Sequence, residues 1–182
     1  MPIRKKGWEI HIVRKSEQVR GERRRTVGTY QVFHDGVAQT TADMRGTSAE
    51  TKGPGDNKKA NNGRRVEAGT YPISTQDGSY YKTFKYADSN DPDVTPKPGI
   101  ELNKTNKRTE ILIHPGVGFL SSVGCINPCT SLPNALEDIS FKGSRRRVIA
   151  IIEDMKTFLG ADFPKKNGMP IPRAKVIIDG EP

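Results

Sequence analysis

The chain predicts a mostly β domain with one amphipathic helix near its C-terminus, and three observations carry that prediction. Near the start, Trp8, Ile10 and Ile12 alternate with Glu9 and His11, the two-residue period of a half-buried strand. Helical periodicity is clear in one place only, where Val148, Ile151, Ile152, Met155, Phe158 and Leu159 share one face. Between them, Gly, Pro, Asn and Asp clusters break the chain at short intervals, and helices do not alternate with strands as a doubly wound parallel sheet requires.

Taken in order, Trp8 to Val13 is the first expected strand, with His11 on its solvent face. The basic run Arg20 to Arg25 reads as a turn, and Thr26 to Phe33 as a second strand containing Gly28. Asp35-Gly36 is a hairpin signal, which makes His34 a turn residue. Residues 41–66 have no periodicity and carry Gly46, Gly53, Gly55, Gly63, Asn57, Asn61 and Asn62, so they read as a polar loop. That loop is either solvated surface or folded against a cleft, where Arg64 or Arg65 would meet a substrate carboxylate. Strands are expected again at Val66 to Ile73, Tyr80 to Tyr86, Ile100 to Asn103 and Ile111 to Ile113, with a loop over 87–98.

A short helix is expected from Asn134 to Ile139, then the main helix, with Ser144 as its N-cap and Gly160 closing it. Arg145, Arg146 and Arg147 stand at its N-terminus, the unfavourable end for cations in the helix dipole. They are either a solvated face or an anion clamp. Arg173 to Ile178 reads as the last strand.

With 182 residues the chain fits a single domain spanning 1–182, and at 33% hydrophobic residues its core must coexist with long polar loops. A formal charge of +9 favours an anionic partner. Nucleic acid is disfavoured, since no nucleic-acid motif is present and 7% aromatic residues leave few stacking platforms; bacterial cell wall, rich in carboxylates and anionic polymers, suits the charge equally well. The N-terminus, Met1 to Trp8, has charge but no apolar core to follow it, so no Sec signal and no membrane span are expected.

The stretch Glu110 to Cys129 concentrates the chemistry. The apolar run Ile111 to Ile113 delivers His114 to a strand end, where Pro115-Gly116 break it, and Ser122-Val123-Gly124-Cys125 follows. A free thiol is mostly protonated at neutral pH, so a nucleophilic cysteine needs an imidazole, a cation or a helix N-terminus beside it. Glycine before it lets a substrate carbonyl approach backbone N–H donors. The bland alternatives are a small buried cysteine and a hydrogen-bonded loop histidine. Cys125 and Cys129 lie four apart; a disulfide would occupy the proposed nucleophile, and a zinc site would need more ligands than these two and His114, so no metal and no cofactor are expected.

A histidine, a loop, then Ser122, Gly124, Cys125, Ile126 and Asn127 resembles the signature of the L,D-transpeptidases, the YkuD-like catalytic domain. The chain departs from that pattern at Val123, where the family usually has a second histidine, in its short His-to-Cys loop, and at Pro115. Phage and bacterial domains related to YkuD share Ile-His-Pro-Gly ahead of Gly-Cys-Ile, and segments like Pro54 to Asn57 and Ala68 to Pro72. The resemblance covers roughly residues 45 to 130. It implies a YkuD-like β-sandwich or barrel, Cys125 as nucleophile, His114 as base, and an oxyanion hole of N–H groups around Gly124 and Cys125. Ser121, Ser122 and Asn127 would shape the loop or hold substrate, with Arg145 and Arg146 as anion-binding candidates.

The implied substrate is the peptidoglycan stem tetrapeptide, cut at its L,D bond through a thioester that passes to an amine or to water. Without a Sec signal, such an enzyme would act in the periplasm or wall after specialised export or lysis. An antibacterial effector of a type VI-like secretion system, blocked by an immunity protein, fits that route. The rivals are a non-catalytic wall- or phage-structure-binding module of the same fold and a basic nucleic-acid-binding domain.

Overall fold

The computed structural model describes residues 6–182; the first five residues of the segment expected to lack a leader lie outside the described residues. Strand β1 (Trp8–Arg20) and strand β2 (Arg23–His34) form a long antiparallel hairpin, and β3 (Val37–Ala38) pairs with the end of β2. Strand β4 (Arg45–Thr51) lies against the other edge of β2. Then follow β5 (Gly69–Thr75), β6 (Tyr81–Lys82), β7 (Lys97–Pro98), β8 (Ile100–Leu102), β9 (Leu112–Ile113) and β10 (Asn127–Cys129). Helix α1 (Phe141–Leu159) leads to β11 (Pro170–Asp179). The main sheet runs β10-β4-β2-β1-β11-β5-β8-β9, while β6 and β7 form a separate pair.

The two ends of this sheet meet. Ile113 bridges Ile126 in parallel, with His114 N–H donating to Ile126 O and Ile126 N–H to Leu112 O, so the sheet closes into a barrel through one short seam. The interior holds Trp8, Ile10, Ile12, Tyr30, Ile73, Ile100 and Ile126, with Val148, Ile151, Ile152 and Met155 of α1 covering the same core. β11 lies parallel to β1 and antiparallel to β5 at the centre of the sheet, and Val176, Ile177 and Ile178 are all buried, as in a strand covered on both faces. Gly28 sits opposite the bulge between Arg14 and Ser16, where a Cβ would come 2.3 Å from Val13 O. No helix among the described residues is long and apolar enough to cross a membrane.

The mostly β class with one C-terminal helix holds, and several boundaries change. The basic run holds the expected turn at Gly21-Glu22, but Arg20 and Arg23 to Arg25 are strand residues, and its arginines serve the loop before Cys125 and the segment that follows the barrel seam. Arg20 Nε donates to Ala135 O (2.7 Å), Arg25 Nη1 to Phe119 O (2.8 Å) and Arg25 Nη2 to Asn134 O (2.9 Å), with the guanidinium groups of Arg20, Arg23 and Arg25 4.4 to 5.0 Å from the centre of the Phe119 ring. The expected polar loop over 41–66 contains β4. Its buried side chains include Ser48, Glu50 and Thr51, so it lacks an apolar period; Glu50 is neutralised by a bidentate pair with Arg14 at 2.8 and 2.7 Å.

Tyr80 to Tyr86 contributes only β6, and Asn134 to Ile139 is no helix: Ile139 pairs with Gly118. Helix α1 starts one turn before the expected cap. Ser140 Oγ accepts from Gly143 N–H, while Ser144 lies inside the helix. His34 ends β2, with Nε2 2.6 Å from Asp154 Oδ2, and His11 is half-buried beside Asp179 at 2.7 Å.

Candidate active site

The barrel seam assembles the site. Across the parallel Ile113–Ile126 bridge, Leu112 and His114 share a face with Cys125 and Asn127, so two residues eleven apart in sequence become diagonal neighbours. Each is fixed by backbone partners. Cys125 Sγ accepts from Leu112 N–H at 3.3 Å and lies 3.5 Å from Glu110 O, toward which its S–H points. Glu110 holds a left-handed backbone (φ 54°), a conformation costing about 1 kcal/mol or more for a residue with a Cβ.

His114 is buried, its Nδ1 2.8 Å from Pro115 O and its ring 4.3 Å from that of Tyr81. With Nδ1–H donating to that carbonyl, Nε2 is the free lone pair. The orienting group that Pro115 cannot supply through an N–H or a side chain is thus its own carbonyl.

Both groups are uncharged at neutral pH. Burial pulls His114 down to about 4, against the hydrogen bond to Pro115, with Lys97 adding to the fall. Burial also pushes Cys125 up to about 11; the Leu112 N–H and Arg108 oppose that rise, and Glu110 and Glu101 add to it. Moving the proton from thiol to imidazole before reaction therefore costs roughly 10 kcal/mol, less the attraction between the resulting ions. No hydrogen bond joins Sγ to the imidazole among the described residues, so a resting thiolate–imidazolium pair is not the state of this site.

The other expected residues divide into those that build the loops and those that stand apart. Asn127 is fully buried: Nδ2 donates to His114 O at 3.1 Å and Oδ1 accepts from Ser121 N–H at 3.3 Å, so it ties the histidine to the Cys loop. Ser121 Oγ closes a turn on Val117, accepting from its N–H and donating to its carbonyl. Ser122 Oγ donates to Cys125 O at 2.7 Å and accepts from Gly124 N–H at 3.0 Å. The Gly124 N–H is therefore engaged within the loop.

Arg145 and Arg146 do not share a cavity with Cys125. Arg145 is buried, donating to Ala87 O; Arg146 pairs with Asp43 at 3.4 Å; Arg147 donates to Tyr30 Oη, Ala42 O and Arg45 O. Arg147 is turned to other partners, while Arg145 and Arg146 line a separate cavity with Asn90, Lys142 and Ile149. Arg65 is fully buried against Glu17, Thr26 and Glu181, and neither it nor Arg64 lines the cleft, although the 52–68 loop does fold against it. Cys129 is buried with a free thiol 3.5 Å from Thr47 O.

Two cavities meet at the thiol. One, of about 360 Å³, is lined by Ala60, Asn61, Gly63, Arg108, Val123 and Cys125 among others; the second, of about 140 Å³, is lined by Gln76, Ser79, Tyr80, Tyr81, Leu112 and Cys125. Glu110 borders both.

Sequence reading missed Ser144, whose Oγ donates to Pro128 O and accepts from Gly116 N–H at 2.9 Å, pinning the His loop and β10 to α1. It also missed Tyr81 and Arg108. A serine four residues into a helix, an aromatic in a short strand and an arginine between strands carry no spacing that marks them. No three His, Cys, Asp or Glu side chains gather as a metal set among the described residues. No family model matches the chain, and no curated protein or solved structure matches it significantly.

Proposed function

We propose that the protein is a cysteine-dependent acyl transferase of L,D-transpeptidase type, acting on the peptidoglycan stem peptide. The observation that carries this reading is the seam itself: it sets a thiol, which lies at the junction of two cavities, on one face of the barrel with a buried, oriented imidazole. A peptide lying through both cavities passes its carbonyl over Sγ.

Since the resting pair is neutral, attack and proton transfer are coupled. The Cys125 sulfur bonds to the carbonyl carbon while its proton moves to His114 Nε2, and the oxyanion faces the Cys125 N–H. Collapse breaks the peptide C–N bond, and His114 returns the proton to the leaving amine. The thioester is then attacked by an amine or water, whose proton passes through His114 back to sulfur. An exported antibacterial role, with an immunity protein covering the two cavities, remains part of this proposal.

The deciding experiment incubates wild type and Cys125→Ala with tetrapeptide-rich peptidoglycan under reducing conditions, followed by mass spectrometry of muropeptides. Tripeptides, exchanged D-amino acids or new crosslinks made by wild type alone support the reading. No change with either protein refutes it and favours the binding module, which the acid-weak thiol and the missing Sγ–imidazole bond would suit.

A further inference from the structure

We infer that Arg108 is the positioning residue of the Cys125 thiol, holding the loop that carries it and setting a guanidinium charge beside the negative charge that develops on sulfur. The inference rests on the proposed role of Cys125 and adds a residue outside the His-to-Cys motif.

The geometry starts from burial. Arg108 is 4% exposed, and its Nη2 donates to Val123 O at 3.1 Å while Nη1 donates to Asp56 O at 3.0 Å. One planar group thus bridges the Cys loop and the 52–68 loop, the two walls of the larger cavity. Neither partner is a carboxylate, so the buried charge is solvated by carbonyls and not neutralised. Gly124 records how close the group comes. A Cβ there would lie 2.3 Å from Arg108 Nη2, and the residue's φ of 148° is one that L side chains rarely adopt. Glycine before the cysteine is therefore required by the arginine as much as by the approach of a substrate.

The charges facing Sγ are few. Arg108 acts to hold the thiol's acidity, and Glu110 and Glu101 act against it; His114 and Tyr81, the titratable groups packed nearby, are both uncharged at neutral pH. Burial lowers Arg108 itself, and Cys125 and Asp56 pull it back. A group whose only task was to tie two loops could be replaced by a neutral donor without changing the sulfur.

The test is alkylation of Cys125 by iodoacetamide, a neutral reagent, followed by peptide mass spectrometry from pH 7.5 to 10, with no peptidoglycan present. A failed muropeptide assay and a failed outcome here are therefore separate results. Arg108→Gln is expected to slow alkylation about tenfold at each pH, one unit of thiol acidity, whereas Arg108→Lys stays within about threefold of wild type. Equal slowing in both variants means the residue is only a tie and overturns the inference, as does no change in either. Glu110→Gln, at an exposed residue, removes the opposing charge and is expected to speed alkylation about threefold. No change there overturns the charge argument even if Arg108→Gln fails to fold.

Discussion

Burial of His114 makes a prediction about stability that needs no substrate. The imidazole titrates at its ordinary 6.5 in the unfolded chain and near 4 in the folded one. Between those values the unfolded chain binds more protons, so unfolding is favoured increasingly as pH falls. The stabilisation is fully present above about pH 6.5 and is lost progressively down to about pH 4. A separation of about 2.5 units amounts to about 3 kcal/mol, a large fraction of a typical domain's stability. Burial lowers His11 as well, so wild type alone does not isolate the effect. His114→Gln does, because glutamine retains a donor for Pro115 O and cannot ionise. Urea unfolding of both proteins at half-unit steps from pH 4 to 7.5 gives the difference curve. It should slope over pH 4 to 6.5 and flatten above. A difference independent of pH, or one that grows as pH rises past 6.5, would refute the buried neutral histidine.

Two further outcomes follow from the same geometry. Turnover, where muropeptide assays detect it, should show no inflection near pH 6.5, since His114 is already neutral there and Cys125 is still protonated; an inflection between pH 6 and 7 would mean an ionic pair forms in the free protein. Asn127→Ala strands His114 O and Ser121 N–H, and should cost about 2–4 kcal/mol by urea denaturation, with turnover down on the order of a hundredfold as the histidine loses its tether.

The parts of this fold that sequence reveals are those where side-chain hydrophobicity reports backbone geometry. Trp8, Ile10 and Ile12 face the core as their alternation requires, and the α1 stripe is buried at Val148, Ile151, Ile152, Met155 and Leu159. Strand β4 is hidden because its buried positions include the polar Ser48, Glu50 and Thr51, and the charge of Glu50 is met by the distant Arg14. No local window contains both ends of that pair. The candidate site divides in the same way. His114 and Cys125 stand out because residue types and the flanking Pro-Gly and Gly mark them. Ser144, Arg108 and Tyr81 act through contacts set by the barrel seam, at positions whose neighbours in sequence are uninformative.

The positive charge belongs to the same argument. Arg14, Arg25, Arg65, Arg108, Arg145 and Arg147 are buried; Arg14 and Arg65 meet carboxylates within 3.3 Å, and Arg145 meets the exposed Asp88 at 3.8 Å. Those other than Arg14 and Arg65 largely bind backbone carbonyls: Phe119 and Asn134 for Arg25, Asp56 and Val123 for Arg108, Ala87 for Arg145, and Ala42 and Arg45 for Arg147. A barrel whose seam strands, β9 and β10, are two and three residues long leaves many carbonyls of the flanking loops without ladder partners. Guanidinium, with five donors in a plane, satisfies two or three of them at once, which an ammonium on a flexible stem does less well. Six of the 30 basic residues are thus explained by the fold and do not by themselves require an anionic partner. The consequence falls on the site. Loops that would otherwise move are held against the barrel by buried arginines, and a neutral thiol and imidazole, which lack a mutual hydrogen bond to hold them, depend on that rigidity for their alignment.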